Sequence, residues 1–97
     1  MTKLQHVVIG WYRRKDYARI LAVMADAHLL PRTFDKFVKN AEAGEKRLAA
    51  QGYVVHRLDI DPDEFLTWCT ACNVDADAQA RMTFSNELLI AKLRNPN

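Results

Sequence analysis

LQHVVIGWYRRKDYARILAVMADAH, residues 4–28, changes its hydrophobic period in the middle, and that change decides the fold class. The first part, Leu4 to Tyr12, carries the β-branched run Val7-Val8-Ile9 bounded by Gly10. Such a run predicts a strand buried on both faces at its middle. From Asp16 onward, Tyr17, Ile20, Leu21, Met24 and His28 recur at i, i+3, i+4, i+7 and i+11, the stripe of one long helix. Pro31 ends that helix, because the residue before a proline avoids helical angles.

Downstream, Thr33 is placed to cap a second helix whose apolar stripe is Phe34, Phe37, Val38, Ala41 and Leu48. Gly52 supplies a left-handed stop after Gln51. Tyr53 to Ile60 alternates as a second strand, with Val54, His56, Leu58 and Ile60 on one face and Tyr53, Val55, Arg57 and Asp59 on the other. Asp61-Pro62-Asp63-Glu64 is a compact helix start, joining a cap, a proline at the first helical position and first-turn carboxylates. Phe65, Leu66 and Cys69 form the inward edge of this short helix, which ends near Asn73. Asp75 is expected to cap a final helix with the stripe Ala80, Phe84, Leu88 and Ala91, and with Met82, Leu89 and Leu93 beside it.

The order is β-α-α-β-α-α, an α+β chain. If each of the two intervening helices reverses the direction of travel, the second strand runs opposite to the first. The expected architecture is a small two-stranded antiparallel sheet packed on helices, with open edges that a second copy can extend.

The 97 residues, 49% hydrophobic and 27% charged, suit one small globular domain over 1–97 and exclude a disordered or collagen-like chain. No apolar run approaches the roughly 20 residues of a membrane span, and no secretory leader is read at the start. Two cysteines make no disulfide framework, so a cytoplasmic, reduced protein is the expectation. The glycines at 10, 44 and 52 stand alone, which excludes a phosphate-cradling loop. G-x-S-x-G, H-E-x-x-H and EF-hand spacings are absent too, so neither an enzyme nor a cofactor is expected.

The net charge is only +2, but it is unevenly spread. Residues 1–58 hold eleven Lys/Arg against five Asp/Glu, and residues 59–80 hold six Asp/Glu and no base. The acidic block has a folding explanation, since Asp61, Asp63, Glu64, Asp75 and Asp77 fall at helix starts. The basic block has none in the local sequence. Arg13, Arg14 and Lys15 crowd the start of the first helix, where positive charge opposes the dipole. With Trp11, Tyr12 and Arg19 they form a basic aromatic corner, suited to an acidic protein surface or to a nucleic-acid backbone with stacked bases.

Trp68-Cys69-Thr70-Ala71-Cys72 resembles the W-C-x-x-C motif of thioredoxin-like oxidoreductases, and the resemblance implies thiol–disulfide chemistry at Cys69 and Cys72. In that family the first cysteine opens a helix directly after a strand, where the dipole lowers its pKa. Here Pro62 opens the helix about two turns earlier, which puts both thiols in its last turn. Structural zinc takes four ligands in tight pairs, and His6, His28 and His56 stand isolated, so no metal is expected. The functional expectation is a non-enzymatic protein-interaction module, of the size of adaptors, immunity proteins and inhibitors. It binds a protein partner or a second copy of itself through the basic corner, together with a free strand edge. Nucleic-acid binding there and redox chemistry at the cysteine pair are the alternatives, and no membrane partner is expected.

Overall fold

A computed structural model describes residues 4–95 of the chain. Strand β1 (His6–Trp11) is followed by a 3₁₀ turn (Arg14–Asp16), helix α1 (Tyr17–Val23) and a second 3₁₀ turn (Ala27–Leu29). Helix α2 (Phe34–Ala50), strand β2 (Val54–Asp59), helix α3 (Pro62–Cys72) and helix α4 (Ala78–Arg94) complete the order. None of these helices is long and apolar enough to cross a membrane.

The α+β composition is as expected, but β1 and β2 pair in parallel, not antiparallel, with His6 opposite Val54 and Trp11 opposite Asp59. The cause lies in α1. The stripe from Tyr17 to His28 is not one helix, because Met24 turns extended (ψ 133°) and stops α1 after seven residues. Seven helical residues span about 10 Å, half of a six-residue strand, so α1 does not carry the chain across the sheet. Only α2, 17 residues long, makes that return, and one helical return between two strands yields a parallel crossover.

Local signals set most boundaries. The Thr33 hydroxyl accepts the Lys36 N–H at the start of α2, and Asp61 accepts from Asp63 and Glu64 at the start of α3. Gly52 takes φ +95° after α2, and Asn73 takes φ 55° after α3. Helix α4 is capped by Asp77, which accepts from Ala80, and not by Asp75.

The sheet is a layer between helices, with α2 chiefly against β2 and α4 chiefly against β1. Gly10 lets α4 approach: a Cβ there would lie 2.7 Å from Ile60 Cδ1 and 3.1 Å from the Ser85 hydroxyl. A continuous core joins Tyr12, Tyr17, Ile20, Met24 and Phe37 to Ile60, Phe65, Cys69, Ala80 and Phe84. Arg81 on α4 grips Asp26 with two hydrogen bonds of 2.6 and 2.8 Å, and both side chains are largely buried. The Ala25 N–H donates to Ala76 O nearby, tying the α1 end to the start of α4.

Candidate functional site

The basic corner is assembled, and most of its charge is spoken for. Arg13 lies 3.6 Å from Asp16 and 4.0 Å from Asp61. Arg14 pairs with Asp35 at 2.8 Å and stacks over the Phe34 ring. Arg19 pairs with Asp63. Lys15 is exposed and, among the described residues, has no carboxylate within ion-pair distance. Asp61 stays well below the ordinary carboxylate range, chiefly because it accepts the Glu64 backbone N–H, with Arg13 and Lys15 adding attraction. Three of these four cations, Arg13, Arg14 and Arg19, therefore meet carboxylates that open α2 and α3.

The two rings of the corner are occupied as well. Tyr12 is buried against Tyr17 and Phe37, and burial is the main cause that pushes its hydroxyl up to about 12. Trp11 meets Phe37 edge-on and carries the Arg57 guanidinium 4.0 Å above its ring. Arg57 is held there by two hydrogen bonds to Glu45. Neither ring is a free stacking platform for a base.

Cys69 and Cys72 are both free, the first buried and the second exposed. Burial raises the Cys69 thiol, and Asp77, Cys72 and Asp75 push it the same way. A reactive thiol needs the opposite environment. Trp68 and Cys72 line an open groove between α3 and α4, about 640 Å³ in volume, with Asp75, Asp77 and Glu87 on its walls. Asp77 is committed to its own helix. No group of three metal-ligating side chains forms among the described residues.

The sequence leads to open sheet edges, and the ladder shows which backbone groups lie on them. The Val54 N–H donates to Gln5 O, and the Ile60 N–H to Trp11 O, both at 2.8 Å. In a parallel ladder, donor and acceptor of one residue point the same way and alternate along the strand. Val7, Ile9 and Trp11 therefore turn their backbone groups toward β2, whereas His6, Val8 and Gly10 turn theirs away, to an edge with no strand partner among the described residues. The matching outer edge of β2 presents Val55, Arg57 and Asp59.

The two edges differ. Exposed Arg57 and Asp59 guard the β2 edge with charge, the usual protection against strand addition. Among the described residues, the β1 edge has no such guard. Beside it runs a groove of about 220 Å³ whose lining includes Val8, Gly10, Met82, Ser85 and Asn86. Met82, Asn86, Ile90 and Leu93 fall on one stripe of α4, and all four are exposed. A helix with apolar residues on its outer side as well as its inner side is suited to burial on both. The signal was in the sequence: Met82, Ile90 and Leu93 lie off the Ala80, Phe84, Leu88 and Ala91 stripe. No family model, curated protein or solved structure is detectably similar to this chain.

Proposed function

We propose that this chain is a small non-enzymatic protein-interaction module that docks its partner on the open edge of β1 and the adjoining outer stripe of α4. The observation that carries the reading is the unguarded edge itself. Among the described residues, the N–H and C=O groups of Val8 and Gly10 have no strand partner, and they lie next to Met82, which is 66% exposed. Strand addition supplies affinity through main-chain hydrogen bonds, and the neighbouring apolar groove supplies side-chain contacts. The basic corner is a weaker candidate for an acidic protein or a nucleic acid. Its cations face Asp16, Asp35, Asp61 and Asp63, which leaves little excess field to attract phosphate or carboxylate.

Panning displayed extended peptides on the immobilised protein tests this assignment. Peptides so captured are expected to lose binding to a Val8→Pro variant and to keep it on Arg14→Glu. Binders indifferent to Val8→Pro but lost on Arg14→Glu would move the docking face to the basic corner.

A further inference from the structure

We propose that the occupant of this face is a second copy of the chain, paired antiparallel through β1 about a two-fold axis near Ile9. The proposal rests on the β1 edge being the docking strand. With Ile9 at the axis, the outward backbone groups of Val8 in one copy meet those of Gly10 in the other, and the sheet grows to the order β2-β1-β1-β2. A two-stranded sheet is marginal, and doubling it buries the half-exposed residues Val7 and Ile9 in its centre.

Helix α4 fits the same axis. Ser85 lies at the level of Gly10, and the Lys92 ammonium contacts His56, opposite Val8. The helix therefore runs antiparallel to β1, with the middle of its outer stripe over Ile9. A two-fold there sets both copies of α4 on one face of the enlarged sheet. The Met82 end of one stripe then meets the Ile90–Leu93 end of the other.

Charge and coverage favour a second copy over a foreign strand. Val8, Gly10, Met82, Ser85, Asn86, Ile90 and Leu93 carry no charge, so the patch does not repel its own image. Arg81, at the groove wall, is already neutralised by Asp26. A lone added strand would cover the edge and leave the helix stripe in water, whereas a second copy covers both.

Sedimentation equilibrium from low to several hundred micromolar tests the proposal. The expected mass is twice 11.1 kDa. A Met82→Lys/Ile90→Lys double variant places like charges across the axis at exposed helical sites where lysine is well tolerated. It is expected to keep the wild-type circular dichroism and to weaken association at least about a hundredfold. A wild type that stays monomeric, yet captures extended peptides in a way that Val8→Pro abolishes, overturns the second copy alone. A dimer that survives both Val8→Pro and the double variant overturns the arrangement and the docking face together.

Discussion

Proline at position 8 removes an N–H from the outer edge of β1 and none from the ladder with β2. The alternation fixed by Val54 N–H to Gln5 O and Ile60 N–H to Trp11 O turns the Val8 N–H away from β2. Proline is tolerated on an edge strand where its missing N–H faces out. Ile9 is the matched control, because its N–H points into the ladder and its replacement deletes a sheet hydrogen bond. In the paired dimer, Val8→Pro deletes one donor from each copy. Two hydrogen bonds at about 1 kcal/mol net each, before any clash from the rings, give about 2 kcal/mol. That is roughly a 30-fold weaker association. In the dissociated chain the variant loses part of a half-buried side chain, for a cost of about 1 kcal/mol, against about 3 kcal/mol or more for Ile9→Pro. Sedimentation velocity reads association, and thermal melting at low micromolar concentration reads the fold. Equal loss of melting temperature in the two variants would show that the strand faces are inverted. An unweakened Val8→Pro dimer would show that β1 is not the contact strand.

Gly10→Ala forces a methyl against Ile60 Cδ1 and the Ser85 hydroxyl. Overpacking there is expected to lower stability by about 1–3 kcal/mol in urea titration; a neutral result would mean that α4 shifts freely over β1. Asp26→Asn breaks the largely buried pair with Arg81 and leaves a guanidinium without its counter-charge. The expected loss is about 2–3 kcal/mol, below the figure for a fully sequestered pair. The hydrogen bonds from Arg81 are the main cause that holds the Asp26 carboxyl below its ordinary range. This contribution is therefore complete above about pH 4, the unfolded value, and is lost as pH falls through the lower folded value. Wild type should lose stability across that acidic interval more steeply than the asparagine variant, as read by denaturant titrations at stepped pH; parallel curves would refute the coupling.

The elements legible in the sequence were those whose cause is local. Thr33, Asp61, Pro62 and Gly52 each act on the helix end next to them, and each does what its chemistry dictates. The direction of β2 was not legible, because it depends on where α1 stops. The stripe through Met24 and His28 satisfies helical spacing as far as Pro31. What breaks it is tertiary: Met24 is buried in the core, Ala25 donates to Ala76, and Asp26 is held by Arg81 from a helix 55 residues away. The shift of the α4 cap from Asp75 to Asp77 belongs to the same junction, where Ala76 is committed to Ala25.

The basic corner follows the same logic, and it bears on function. By local rules, Arg13, Arg14 and Lys15 stand at the wrong pole of α1. Helices α2 and α3 begin beside that pole and bring their own first-turn and capping carboxylates, Asp35, Asp61 and Asp63. Cations that gain nothing from α1 offset the negative charge gathered at the other two starts. The exposed pairs each contribute under about 1 kcal/mol, so their main effect is to cancel a field. Pairing of Arg13, Arg14 and Arg19 with these carboxylates weakens the pull of the corner on phosphate or an acidic surface. The feature that still lacks a folding explanation is uncharged: a strand edge with its hydrogen-bonding groups open and a helix with apolar side chains turned outward beside it. Both are stabilised by the same event, contact with a partner that brings a strand and a helix, and this chain itself carries that pair.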